Sequence, residues 1–328
     1  MILVTGCSGF IGFHLCLDLL KKNQNIIGID SLNSYYSTKL KKKRLNILKK
    51  KKNFKFYKIN LLQKSKLEKI FNQSKFETIF HLASQPGVIY SFRNPKAYKD
   101  NNIKATTILA QLSKKFFVKK IIFTSSSSVY GDQLRFPISE KMKLKPKNYY
   151  ASTKISCEKI LSKIFFKKNQ NFLFIVRPFT VYGEFGRPDM LFLKIMKQII
   201  NKKKFFVYNN GNYVRDFTYV KDVVKSLIYL NHYNKKKKLI VNICASKPIK
   251  VKKFIFEILK LCKIDKSKFS NFINYAPKRK GEMIKTYGSN NLLKKIIKIK
   301  KFTSFQTGLK NTFNWYKNFK HKKILYLD

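Results

Sequence analysis

Gly6-Cys7-Ser8-Gly9-Phe10-Ile11-Gly12 follows an apolar run at residues 1–5 and opens an apolar helical pattern over residues 10–20. Strand, glycine turn and helix in immediate succession are the setting that a dinucleotide fingerprint requires. The first glycine permits the tight turn and the second lets backbone approach a pyrophosphate. The third lets helix pack on strand, and the helix N-terminus favours the anion. Asp30 closes the next apolar run, 18 residues after Gly12. A carboxylate there can bind adenosine ribose hydroxyls and repels a 2′-phosphate, which favours NAD over NADP. The blander reading, a glycine-rich turn beside a helix-capping aspartate, does not account for motif, strand and acid together.

Outward from this unit, short apolar runs at 26–30, 54–59, 78–82, 120–124 and 172–176 read as buried strands. Helical patterns over 10–20, 96–117 and 150–166 are long enough to cross over a sheet. The expected fold is therefore α/β, a Rossmann-like doubly wound parallel sheet with right-handed crossovers. The second half mixes short strands (205–208, 216–219, 240–243) with helices near 190–200, 220–230, 251–262 and 305–319. It reads as a smaller C-terminal α/β lobe. Residues 1–176 are expected to form the NAD-binding domain, with segments near 217–243 returning to it, and 177–328 mainly the substrate-binding lobe. The Lys-rich stretches 39–55 and 235–238 read as solvated loops or helix faces.

Composition bounds the rest. The 328 residues carry 71 Lys+Arg against 16 Asp+Glu, a formal charge of +55, yet 44% are hydrophobic, so a core is affordable and disorder is excluded for most of the chain. Five cysteines (Cys7, Cys16, Cys157, Cys244, Cys262) form no CxxC pair, which argues against a disulfide framework or zinc ribbon and for a reducing cytoplasm. No apolar run approaches the ~18 residues of a membrane span, and a strand at residues 1–5 leaves no room for a charged export signal. A nucleic-acid partner is the obvious reading of +55. However, only seven of the basic residues are arginines against 64 lysines, whereas base readout favours the arginine fork. Most of the charge reads as solvated lysine drift, with no specific nucleic-acid partner.

Tyr150-Ala151-Ser152-Thr153-Lys154 places a phenol and an ammonium one helical turn apart on one face. The cation favours the phenolate, so the spacing predicts a tyrosine pKa lowered towards neutrality, suited to a general base. Ser125-Ser126-Ser127-Ser128-Val129-Tyr130-Gly131 follows the fifth strand, where an α/β fold places its active-site crevice. Either element alone reads as a polar turn or a packed tyrosine; together they point to a site.

With these elements, Tyr35-Tyr36, His81-Leu82-Ala83, Gln85-Pro86-Gly87-Val88, Thr180-Val181-Tyr182-Gly183, Gly186-Arg187-Pro188-Asp189-Met190 and Arg215-Asp216-Phe217-Thr218-Tyr219-Val220 resemble the extended short-chain dehydrogenase/reductase family of nucleotide-sugar enzymes. Within it the chain is most similar to UDP-glucuronate 4-epimerases, over essentially its entire length. The resemblance implies an NAD-dependent oxidise, rotate and reduce cycle at C4 of a UDP-sugar. It makes Tyr150, Lys154 and Ser126 catalytic. It lines the cofactor site with Gly6, Gly9, Phe10, Ile11, Gly12, Asp30, Asn60, Leu61 and Leu82. Ser127, Ser128 and Thr180 become donors to the sugar carboxylate, Arg215 and Arg279 partners of the pyrophosphate, Arg187 a residue that closes the site, and Glu282 a ribose contact. Related dehydratases and decarboxylases carry an acid where this chain has Ser128, which argues against both.

The departures concern the substrate more than the reaction. Asn60 stands where relatives usually have Asp, Ile89 where glucuronate epimerases have Arg, and Glu184-Phe185 where they have Pro-Trp. A UDP-glucose or UDP-N-acetylglucosamine 4-epimerase is therefore the alternative, and a basic nucleic-acid-binding protein on a Rossmann scaffold a remote third. The resemblance implies that Asn102 braces the active-site backbone, and His81 is expected to be a buried, hydrogen-bonded residue. His14, His232 and His321 are scattered, so no metal site is expected. Ile103, Ile108, Leu109, Leu112, Ile155, Ile160, Leu161 and Ile164 put apolar side chains on more than one helix face, and the resemblance implies a homodimer through these helices.

Overall fold

The computed structural model describes residues 1–167, 170–297, 299 and 301–319; His321 lies outside the described residues. Seven strands form one sheet: β1 (Ile2–Thr5), β2 (Ile26–Asp30), β3 (Phe54–Lys58), β4 (Thr78–His81), β5 (Lys120–Thr124), β6 (Phe172–Pro178) and β7 (Lys238–Ile243). Every pairing is parallel, in the order β7-β6-β5-β4-β1-β2-β3. The alternating pleat sends Leu3, Ile27, Ile79, Ile121 and Phe123 to one face and Val4, Ile26, Phe80, Ile122 and Phe174 to the other. Both faces are covered by helices, which is why these strands read as unbroken apolar runs. The helices α1 (Phe10–Leu20), α2 (Thr38–Lys49), α3 (Lys64–Gln73), α4 (Ala105–Lys115), α5 (Tyr149–Ile160), α6 (Leu191–Ile200), α7 (Val220–His232), α8 (Val251–Leu261) and α9 (Phe305–Asn318) complete the main frame. Strand order reverses between β1 and β4, and a crevice opens at the carboxyl ends of the strands there.

Several elements differ from the sequence expectation, each for a local reason. The helix expected over 96–117 is divided into Pro95–Tyr98, a π-helical turn Lys99–Lys104 and α4. The π turn lets Asn102 reach sideways: its Oδ1 accepts from the Gln85 N–H (2.7 Å) and its Nδ2 donates to Thr153 Oγ1 (2.9 Å). The helix expected over 150–166 starts at Tyr149, where Asn148 Oδ1 accepts from the Ala151 N–H (2.9 Å), and passes into a π turn at Leu161–Phe165. The strand expected at 216–219 splits around buried Asp216, whose carboxylate accepts from the Gly288 N–H (3.2 Å). Val214–Arg215 pairs antiparallel with Ile249–Lys250, and Phe217–Tyr219 pairs parallel with Thr180–Tyr182. Residues 240–243 belong to β7, the outer strand of the main sheet.

Most of the lysine-rich stretch 39–55 is α2. Ser37 caps it by accepting from the Leu40 N–H (3.1 Å), and Leu40, Arg44, Leu45 and Leu48 form its buried face while Lys39, Lys42 and Lys49 face solvent. The lysines hide the apolar period because the buried face includes the charged Lys41 and Arg44.

Candidate active site

The glycine loop is built so that side chains are excluded. Gly6 has φ +72° and its N–H donates to Ile29 O (2.7 Å); a Cβ on it would stand 2.8 Å from the Ala83 nitrogen. At Gly12 a Cβ would stand 2.1 Å from the Gly6 carbonyl oxygen, so the helix approaches the turn only with glycine there. Beside the loop, Asp30 accepts from the Leu32 N–H (2.8 Å) and the Ser8 N–H (3.1 Å). Burial raises its pKa, opposed by these N–H groups and by Lys41 and Arg44. Phe10, Ile11, Asn60, Leu61 and Leu82 line the same cleft as Gly6, Gly9, Gly12 and Asp30. A backbone cradle for diphosphate beside a ribose-binding carboxylate fits NAD. Asn60 Oδ1 already accepts from the Leu62 N–H (3.0 Å), and its second lone pair can serve an adenine amino group.

On the other wall, Thr124, Ser125, Ser126, Tyr150 and Lys154 meet at the end of β5. Lys154 is buried, its Nζ donates to Thr124 O (2.8 Å), and burial lowers its pKa to about 8. The Tyr150 phenol is raised, not lowered: burial dominates, and a hydrogen bond with Ser126 and the charge of Arg187 oppose it. Desolvation of the phenolate outweighs the opposing hydrogen bond and charge, so the lowering expected from the Lys154 spacing does not hold. Beneath the site, Glu158 accepts from Ser125 Oγ (2.5 Å) and takes a fork from Arg177 (Nε 3.0 Å, Nη2 2.6 Å). His81 is buried and held between Thr5 Oγ1 (2.8 Å) and Thr106 Oγ1 (3.0 Å), as the sequence reading expected, and burial lowers its pKa to about 3, so it stays neutral.

The residues expected at the substrate are distributed differently. Arg187 lines the main cleft and forks onto Asp189 (2.9 and 2.7 Å), which also accepts from Tyr35 Oη (3.4 Å). Ser127 and Ser128 are buried behind Ser126 and do not line the cleft; Ser128 donates to Ser126 Oγ through Oγ (2.9 Å) and N–H (3.2 Å). Thr180 lines an adjoining apolar pocket that shares Phe10, Val181, Arg187 and Met190 with the cleft. Arg215, Arg279 and Glu282 come together elsewhere: both guanidinium groups approach the Glu282 carboxylate (3.6 and 3.5 Å), and Arg279 lies 3.4 Å from the Tyr208 ring centroid.

Sequence reasoning gave no site role to the segment after β2, although Tyr35-Tyr36 carried part of the resemblance. Asn33, Tyr35, Tyr36 and Lys41 all line the cleft. Lys41 Nζ donates to Asn33 O (2.7 Å) and Oδ1 (2.6 Å), and burial lowers its pKa to about 8. The available signal was positional: these residues follow Asp30 directly. Among the described residues no group of three or more His, Cys, Asp or Glu is placed to hold a metal ion, and no helix is long and apolar enough to cross a membrane.

A doubly wound parallel sheet with a glycine cradle at its switch point, and with a serine, a tyrosine and a lysine on the facing wall, defines a nicotinamide-dependent enzyme of the dehydrogenase and epimerase type. The model of the NAD dependent epimerase/dehydratase family matches residues 2–244, and the chain belongs to that family. It is 37% identical over 321 residues to a UDP-glucuronate 4-epimerase of Thermodesulfobacterium geofontis, covering 96% of this chain and 95% of that one. Among solved structures it is similar to the UDP-glucuronic acid 4-epimerase of Bacillus cereus in complex with UDP-glucuronic acid and NAD (29% identity, TM-score 0.88, 99% of both chains). It is also similar to the UDP-glucose 4-epimerase of Thermotoga maritima with UDP-glucose (27% identity, TM-score 0.86, 96% of this chain and 98% of that one).

Proposed function

We propose that this protein inverts C4 of UDP-glucuronate to give UDP-galacturonate, with a transient 4-keto sugar. The observation that carries the reading is the meeting of Tyr150, Ser126 and Arg187 in the cleft opened by the glycine loop, with Arg187 acting on the phenol itself. Likeness to the glucuronate epimerases over nearly the whole chain supports it. Gly6, Gly9, Gly12 and Asp30 would hold NAD, and bound NAD supplies the acceptor and later donor of hydride at C4. Tyr150 acts in its phenolate form, which burial disfavours and the Ser126 hydrogen bond and the Arg187 charge favour: its Oη takes the proton from the sugar O4 and returns it after the ketone has turned over. Ser126 Oγ, hydrogen-bonded to that phenol, orients O4. Lys154, held on the Thr124 carbonyl, keeps a positive charge below the reacting edge.

A 4-keto sugar with a C5 carboxylate is a β-keto acid that loses carbon dioxide readily. The cleft meets that leak with the neutral Ser126 hydroxyl, behind which Ser128 stands where an acid could protonate C5 or repel the carboxylate, and Thr180 and Arg187 border the adjoining pocket. Arg215 and Arg279 are assigned to the UDP pyrophosphate and Glu282 to the ribose. The second reading, UDP-glucose or UDP-N-acetylglucosamine, is favoured by Ile89 in place of an arginine. A homodimer through α4 and α5 is supported by Ile108, Ile155 and Ile160, each only partly buried. A cytoplasmic role in surface polysaccharide synthesis completes the proposal. Proton NMR of the protein with UDP-glucuronate and catalytic NAD+ tests it. UDP-galacturonate without pentose is expected; UDP-xylose would overturn the protected-carboxylate argument, and no change would move the assignment to the neutral sugars.

A further inference from the structure

Arg44 is fully buried, yet among the described residues no carboxylate stands within ion-pair distance of it. Its Nη1 donates to Ser8 O (2.9 Å) and Tyr36 Oη (2.7 Å), and its Nη2 to Phe185 O (2.5 Å) and Gly186 O (3.2 Å). One guanidinium thus joins the glycine loop to the loop that carries Arg187. The second loop is also held by His14 of α1, whose Nε2 bonds Glu184 O (2.8 Å). Three successive carbonyls, those of residues 184, 185 and 186, therefore turn towards α1 and α2, with Phe185 in the left-handed region at φ +51°. The next residue is Arg187. Burying a cation among carbonyls costs stability that an apolar side chain would not, and only a planar fork with donors on both sides can span two loops.

We propose that Arg44 is a positioning residue: it sets the backbone that aims Arg187 into the cleft and ties that backbone to the phosphate loop. The proposal rests on reading the cleft as the NAD and UDP-sugar site. Arg44→Lys keeps the charge and loses the fork.

The test is a double-mutant cycle with Arg187→Ala, in a Tyr150→Phe background so that ligand is bound and not turned over, with melting temperature as a fold control. UDP-glucuronate affinity is measured by calorimetry and NAD affinity by equilibrium dialysis. Arg44→Lys is expected to weaken both by about tenfold. With Arg187 already alanine, its effect on UDP-glucuronate should shrink below about twofold while its effect on NAD persists. Equal losses in both backgrounds would overturn the proposal, because general loosening does not depend on Arg187; so would affinities unchanged by Arg44→Lys. If Arg44→Lys does not fold, Tyr36→Phe, which removes the hydroxyl seating Nη1, goes through the same cycle and is judged by the same criterion. Failure of the Tyr150→Phe parent to bind either ligand would defeat the site assignment and this inference with it. Binding of both with additive losses would defeat this inference alone.

Discussion

Replacing Glu158 with glutamine isolates the polar layer beneath the catalytic wall. The Glu158 and Arg177 side chains are 8% and 3% exposed and meet at 2.6 Å through Nη2 and Oε2, while Ser125 Oγ donates to the other carboxylate oxygen. Glutamine keeps the shape and removes the charge, leaving the Arg177 guanidinium buried, with the Tyr130 hydroxyl (3.0 Å) and a neutral amide oxygen as its acceptors among the described residues. Breaking one side of such a pair costs about 3–5 kcal/mol, most of it the uncompensated charge. At about 2 °C per kcal/mol for a chain of this size, the melting temperature should fall by about 6–10 °C. Glu158→Leu with Arg177→Met removes both charges and should recover at least half of that loss, since an apolar pair of similar volume is often neutral. Differential scanning calorimetry at pH 7 reads both. A shift under about 2 °C for Glu158→Gln, or a double variant no more stable than the single one, would refute the argument that charge imbalance sets the cost.

Other consequences are equally direct. Gly12→Ala should abolish NAD binding in dialysis, since its Cβ would stand 2.1 Å from the Gly6 carbonyl oxygen; retained affinity would mean that the helix can shift away. Tyr150→Phe should lose nearly all NMR-detected turnover and keep UDP-glucuronate affinity within about threefold, because only the proton acceptor is removed. His14 and His81 have pKa values lowered by burial to about 4 and about 3. The unfolded chain therefore binds protons near pH 6.5 that the folded chain refuses, and stability is lost as pH falls from 6.5. At pH 5 each histidine accounts for about 2 kcal/mol, so the urea midpoint should drop between pH 7 and pH 5, and less so in His14→Asn. Any affinity for duplex DNA should be indifferent to sequence and vanish by about 200 mM salt; sequence preference at physiological salt would revive the nucleic-acid reading.

The dinucleotide half was legible because its signals are local. A strand, three glycines and an aspartate stand in fixed order, and each glycine answers a contact made within the same unit or with the adjacent strand β4. The burial and hydrogen bonding of His81 were legible from its place at the end of an apolar strand, and the reach of Asn102 to the Gln85 backbone through the family resemblance. The course of α2 was not, because its buried face contains Lys41 and Arg44, and a periodicity argument counts charged residues as solvent-facing. The pKa direction of Tyr150 was not legible either: helical spacing brings Lys154 to the same face, but the burial that dominates is made by segments far apart in the chain. Separation of Thr180 from the main cleft, and of Arg215 and Arg279 from Arg187, depends on long connections that no local pattern encodes.

The arginines carry the argument further than their number suggests. In a chain with 64 lysines and seven arginines, Arg93 and Arg135 are exposed, and the other five occupy sites where an ammonium cannot do the same work. Arg177 forks onto a buried carboxylate, Arg187 forks onto Asp189 in the cleft, and Arg44 spans two loops through four acceptors. Arg215 and Arg279 share one carboxylate, each against a tyrosine ring. The guanidinium is planar, forked and weakly hydrated, so it can be buried against carbonyls and rings, while the compact ammonium is costly to desolvate. Surface charge can be supplied by either side chain; these five positions need the fork. A +55 protein can thus hold a site of ordinary precision, because the charge that matters to it is set by geometry and the rest is left to solvent.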